Sequence, residues 1–298
     1  MSKILGKYRN GNYNVTIMDD GTKIRETEEE DFIPAFAENC DVTITNRCDG
    51  GCPWCYMGCT PNGKHADLLS QPWINTLHPY TELAINGNDL THPQLIEFLH
   101  LLKDKKIIAN LTVHQKHFMK NLKLLHKLTD EKLIYGLGIS LEWPRPDFIE
   151  AVQSFPNAVI HTINGVLTAP EIAGLIYRKL KILILGYKEL NRGGDFLAEN
   201  KQAISSNQFV LKKLLPTLIQ NKKFEAISFD NLALEQLEVK KLLTKEQWEQ
   251  FYMGDDGKYT YYVDMVNGTF AKNSIMPQNK HHPIMDNVDD MFEVIKNE

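Results

Sequence analysis

With 298 residues, 43% of them apolar and 24% charged, the chain is long enough for one large core with attachments and has the balance of an ordinary water-soluble protein. Its net charge of −5 is dispersed, which argues against a surface built for polyanions such as nucleic acid. No apolar run approaches the ~18 residues of a membrane span, and no N-terminal segment reads as an export signal.

Residues 1–39 open with Tyr13–Met18 and Thr22–Ile24 on either side of Asp19-Asp20-Gly21. Alternating residues about a glycine-containing turn predict a β-hairpin, and the acidic run from Glu26 to Asp31 reads as a solvated linker. This piece is expected to pack as a small appendage.

From Cys40 the pattern changes to alternating strands and helices, which predicts a parallel sheet with crossover helices. The first strand, Asp41–Thr45, leads into Cys48-Asp49-Gly50-Gly51-Cys52-Pro53-Trp54-Cys55. Three thiols at C-x3-C-x2-C spacing, with two glycines that let the backbone curl, suit a compact soft-metal centre. A cubane cluster held by three thiolates keeps one iron open. Other readings exist. Four thiols with Cys59 would serve a structural zinc, whose ligands usually fall in two separated knuckles. A ferredoxin-like carrier needs a first gap one residue shorter. Disulfides fit poorly with five cysteines, an odd number. Cys40 and Cys59 read as spare thiols.

The cysteine loop resembles that of the radical SAM superfamily, including the aromatic residue before the third cysteine, Trp54. The resemblance implies that Cys48, Cys52 and Cys55 hold a [4Fe–4S] cluster whose open iron chelates S-adenosylmethionine. It also implies an oxygen-sensitive, cytoplasmic enzyme served by a reductant such as flavodoxin or ferredoxin. In that superfamily one electron from the cluster breaks the C5′–S bond of the sulfonium, and a 5′-deoxyadenosyl radical abstracts hydrogen from the substrate.

Further strands are predicted at Glu82–Asn86, Ile107–Val113, Ile134–Leu141, Ala158–Ile163, Lys181–Tyr187 and Glu225–Phe229. Helices are predicted at Pro93–Lys103, Lys116–Leu128, Asp147–Gln153, Ala169–Lys179 and Ser205–Gln220. The resemblance implies that these six or seven units form a partial TIM-like (β/α)6-7 barrel over residues 40–231. In such barrels the chemistry lies at the C-terminal ends of the strands.

The strand ends supply the remaining candidates. Gly87, Asn88 and Asp89 stand where the superfamily has a glycine-rich acidic motif for the cosubstrate's amino group, and they also suit a plain strand-to-helix turn. Ser140 and Glu142 resemble the Ser-Leu-Asp/Glu strand end of peptide-modifying members and have the oxygens that ribose or carboxylate recognition requires. Asn164 and Gly165 follow an apolar strand in the manner of the element that lies against adenine. His161, inside that strand, reads as a core histidine. Lys188 and Arg192 are candidates for an anionic substrate group or the methionine carboxylate, beside a Gly193-Gly194 stretch expected to be a mobile loop. Asp230 is either a substrate-facing acid or the cap of the next helix. Glu142 and Asp230 are the candidate catalytic residues.

Residues 232–298 form a C-terminal α+β extension. Lys258–Phe270 predicts a hairpin on Asn267-Gly268, placed as in SPASM-type members but with no cysteine beyond Cys59 to bind an auxiliary cluster. His281-His282 before Pro283 reads as a solvated turn. The resemblance at the strand end and in the C-terminal region implies radical modification of a peptide or protein side chain. The alternatives are a small metabolite or nucleotide as substrate, or a non-catalytic iron–sulfur sensor or scaffold.

Overall fold

The computed structural model describes residues 2–298 and places them in two sheets. The N-terminal sheet is antiparallel, with β1 (Ile4–Asn10), β2 (Tyr13–Met18) and β3 (Lys23–Glu26) in that order. The expected hairpin is therefore the inner part of a three-stranded sheet. β1 escapes the alternation rule because Gly6 and Asn10 hold its buried positions, while Ile4 is exposed.

This sheet is fastened to the main body through one buried carboxylate. Glu38, with no exposed surface, receives Arg25 Nε at 2.8 Å, Lys23 Nζ at 3.0 Å and the Tyr13 hydroxyl at 2.6 Å. Lys23 also reaches Glu82 at 2.7 Å. A carboxylate with no water around it is tolerated only when paired and hydrogen-bonded in this way.

The main sheet contains β4 (Asn39–Thr43), β5 (Glu82–Asn88), β6 (Ile108–His114), β7 (Gly136–Ser140), β8 (Ala158–Ile163), β9 (Lys181–Leu185) and β10 (Ala226–Phe229). All seven are parallel and lie in sequential order. The crossovers carry α1 (Leu95–Asp104), α2 (Gln115–Lys120), α3 (Leu122–Asp130), α4 (Pro146–Gln153), α5 (Ala169–Leu175) and α6 (Arg192–Gln220). After β10 come α7 (Asn231–Gln236) and α8 (Lys245–Phe251), and then β11 (Thr260–Asp264), β12 (Thr269–Ala271), β13 (His282–Pro283) and α9 (Val288–Lys296). The C-terminal hairpin thus joins the main sheet: β11 runs parallel to β4 on its outer edge, followed by antiparallel β12 and β13.

The helices cover one face of the sheet with apolar side chains. Phe98, Leu99 and Leu102 of α1 are fully buried, and each such side chain removed from water contributes about 1.5–3 kcal/mol. Three helices differ clearly from the sequence pattern, of which α5 stops at Leu175, four residues before the expected Lys179. The segment expected as Lys116–Leu128 breaks at Asn121 (φ −120°, ψ 24°), giving α2 and α3. α6 begins at Arg192, well before Ser205, with a kink at Asn200. Gly193 and Gly194 belong to its first turn, not to a mobile loop. A Cβ on Gly193 would lie 2.4 Å from the Lys188 carbonyl oxygen, so the bare backbone is what allows the helix to start against that loop.

No helix among the described residues is long and apolar enough to cross a membrane.

Candidate functional site

The crossover from β4 to β5 contains no α-helix. Its place is taken by the cysteine loop and a single 3-10 turn, Pro72–Thr76. The two arms of the loop are zipped together by backbone hydrogen bonds: Asn46 N–H to Lys64 O, Thr60 N–H to Asn46 O, Cys48 N–H to Thr60 O and Ala66 N–H to Ile44 O, at 2.9 to 3.1 Å. Gly51 (φ +70°) and Gly58 (φ +66°) supply the left-handed turns within it.

Side chains from both flanks then grip this loop. From α2, Lys116 Nζ lies 3.3 Å from Asp49 Oδ2, and His117 Nε2 bonds the same carboxylate. From the start of α6, the Arg192 guanidinium donates to the carbonyls of Cys52 (3.1 Å) and Cys59 (2.9 Å), and Asn191 Nδ2 donates to the Tyr56 carbonyl at 2.6 Å. The forked geometry of guanidinium matches two converging carbonyls. Arg192 is therefore engaged by the loop.

Cys48, Cys52 and Cys55 are half-buried, whereas Cys40 and Cys59 are buried. Cys48 Sγ accepts from Gly50 N–H at 3.3 Å. Burial raises the Cys48 thiol, and burial together with Cys55 and Cys48 pushes Cys52 up to about 11. A hydrogen bond with Cys59 lowers the Cys55 thiol and raises that of Cys59. Asn88 Nδ2 also donates to Cys59 Sγ at 3.5 Å. Among the described residues no three His, Cys, Asp or Glu side chains are grouped as a site for a single metal ion.

Beside the loop lies a small, partly open cavity of about 60 Å³. Cys52 and Trp54 form one wall, and the ends of β7 and β8 form another through Ser140, Glu142 and Ile163. Trp54 is held edge-on against Phe196 of α6, with ring centroids 5.6 Å apart. The structure thus gathers Trp54 of the cysteine loop with Ser140 and Glu142 from the end of β7 around one opening with Cys52.

Other candidates face elsewhere. Asn88, at a positive φ of +47° after a register shift in β5, donates to the carbonyls of Thr45 and Arg47 at 3.2 and 3.1 Å. Asp89 is buried and bonds Thr91 Oγ1 at 2.6 Å, with Arg47 at 3.7 Å. Gly87 packs so closely on Leu111 that a Cβ would lie 2.8 Å from its methyl carbon. Asn88 and Asp89 brace the stem of the cysteine loop, while Gly87 allows β5 to pack closely on β6. Asn164 is buried and bonds Gln236 at 2.9 Å, and Gly165 (φ +96°) turns the chain towards α5. Lys188 Nζ lies 4.0 Å from Asp230 Oδ2, 3.4 Å from Ser274 Oγ and 4.3 Å from the Tyr56 ring centre, so its charge is already matched. Asp230 caps α7 through Ala233 N–H and also accepts from Gly186 N–H, both at 2.8 Å.

Sequence reasoning missed three residues at the ends of β6 and β8. Gln115 accepts from the backbone N–H groups of Glu142 (2.6 Å) and Trp143 (3.0 Å) and donates to Trp143 O (2.7 Å), fixing the end of β7. His114 and His161 both line the cavity, and His161 is half-buried there, not a satisfied core histidine. A polar residue closing an apolar strand was the available signal for His114 and Gln115.

No protein-family model matches the sequence, and no curated protein matches it. Among solved structures the chain is similar in fold to SuiB of Streptococcus suis, crystallised bound to S-adenosylmethionine. The two share 17% identity at a TM-score of 0.56, over 88% of this chain and 66% of SuiB. The likeness is one of fold: a mixed α/β architecture with a large parallel sheet and helices.

Proposed function

We propose that the protein is a radical SAM enzyme, that its β4–β10 units form an incomplete β/α barrel over about residues 40–231, and that the cavity beside the cysteine loop receives S-adenosylmethionine. The observation that carries this reading is the meeting of Cys52, from the C-x3-C-x2-C loop, with Ser140 and Glu142 at one opening, in a fold also seen in a protein crystallised with that nucleotide.

Cys48, Cys52 and Cys55 are the residues to hold a [4Fe–4S] cluster. Their donor set is soft sulfur, all three are half-buried on one loop, and a cubane needs its thiolates spread over separate corners, not drawn onto one ion. Thiols such as these lose their protons as the metal binds. Held there, such a cluster would supply the one-electron reduction on which cleavage of the sulfonium and hydrogen abstraction from a substrate depend. Arg192, Lys116 and His117 hold the loop still, Trp54 presents its face to the nucleotide, and Ser140 and Glu142 receive its hydroxyl or charged groups. Orientation of this kind, with water excluded, is the protein's share of cofactor chemistry.

The substrate is proposed to be a peptide or protein side chain, with a small reductant protein such as flavodoxin or ferredoxin as electron donor. A second reading, a non-catalytic cluster carrier, is favoured by Asn88 and Asp89 being turned to the loop stem and not to the cavity. Anaerobic incubation with dithionite and S-adenosylmethionine separates the two. The enzyme reading expects 5′-deoxyadenosine well above a Cys55→Ala control, and yields equal to that control remove it.

A further inference from the structure

His114, Ser140 and His161 occupy one row across three adjacent strands. The sheet register pairs His114 with Ser140 and Ser140 with His161, and paired residues in neighbouring parallel strands point to the same face. All three line the cavity. Nε2 of His114, the Ser140 hydroxyl and both ring nitrogens of His161 have no hydrogen-bond partner among the described residues. His114 is only 7% exposed, so its free nitrogen is an unpartnered polar group in a nearly buried side chain.

The geometry also fixes the state of His114. Its Nδ1 accepts from Lys116 N–H at 3.3 Å as the cap of α2, which requires that nitrogen to be unprotonated. The neutral ring then carries its proton on Nε2, a donor. Burial favours the same state, holding His114 below its usual pKa and His161 at about 4. Two glycines make room for the imidazoles. A Cβ on Gly50 would come within 3.3 Å of the His114 ring, and one on Gly138 within 2.4 Å of His161 Cε1.

We propose that His114 and His161, flanking Ser140, form a wall of imidazoles that binds S-adenosylmethionine through its oxygen atoms. Resting on the cosubstrate reading above, this assigns His114 Nε2–H to an oxygen of the methionyl carboxylate and His161 to a ribose hydroxyl.

The test is equilibrium binding of S-adenosylmethionine to the full-length, anaerobically reconstituted protein, read by calorimetry. His114→Ala and His161→Ala should each weaken binding roughly tenfold, the loss expected when a buried hydrogen bond to a charged or polar ligand is removed. His114→Gln, which keeps an N–H donor, should stay within about threefold of the parent. His114→Phe and His161→Phe keep the ring volume and lose the nitrogens, so the tenfold loss should persist if an alanine variant does not fold. Wild-type binding with all four ring-deleting variants within about twofold overturns the inference and leaves the cosubstrate reading intact. No binding by the wild type overturns both.

Discussion

Replacing Arg192 by alanine removes the two hydrogen bonds through which α6 holds the cysteine loop, to Cys52 O at 3.1 Å and Cys59 O at 2.9 Å. A hydrogen bond involving a charged group contributes about 1.5–3 kcal/mol. Arg192 is only half-buried, so water recovers part of this, and the lower end applies to each bond: about 3 kcal/mol for the pair. The loop has no helix of its own, so the cost falls on local opening and not on the whole sheet. Its reporters are the amides of Cys48, Cys55, Gly58 and Thr60, all bonded within the loop. Native-state hydrogen exchange should show them about a hundredfold less protected in the variant, 3 kcal/mol being two decades in an opening constant. Arg192→Lys should recover less than half of the protection, because a point charge cannot meet two carbonyls as a fork does. Unchanged exchange in residues 46–64 of Arg192→Ala would refute the clamp.

Alanine at Cys48, Cys52 or Cys55 should abolish the brown absorbance of reconstituted protein, whereas Cys59→Ala should retain it; loss of colour in Cys59→Ala would point to a four-thiolate centre. Glu38→Ala strands Lys23 and Arg25 without their shared counter-charge and should cost about 3–5 kcal/mol, read as a lowered denaturant midpoint. The Glu38 carboxyl is held low: burial raises it, but Arg25 and Lys23 outweigh that. Its contribution is therefore present above the unfolded pKa of about 4.3 and is lost as pH falls through the lower folded value. His161 acts in the same direction by another route. Burial lowers it to about 4 from 6.5, so below pH 6.5 the unfolded chain takes up a proton that the folded chain refuses. Stability should decline by up to about 3 kcal/mol between pH 6.5 and 4, and His161→Gln should flatten that slope in urea titrations.

The strands of the main sheet were legible because each is a short apolar run bounded by turn residues. Ala158–Ile163 coincides with the observed strand, and the other six strands differ only at their ends. β1 was not legible, since its inward positions are Gly6 and Asn10. Nor was the early start of α6: Gly193-Gly194 argues locally for a loop, and only packing against the Lys188 carbonyl makes it a helix turn.

The sequence by itself determined the alternation that builds a parallel sheet and the single loop on which three soft donors sit, because periodicity and spacing are local properties of the chain. Only the tertiary structure decided which polar groups meet. Arg192 lies 140 residues from Cys52 yet bonds its carbonyl, and His114, Ser140 and His161 become neighbours solely through strand register. Side-chain partners across strands are fixed by how the sheet closes its backbone hydrogen bonds, and no local pattern encodes that pairing.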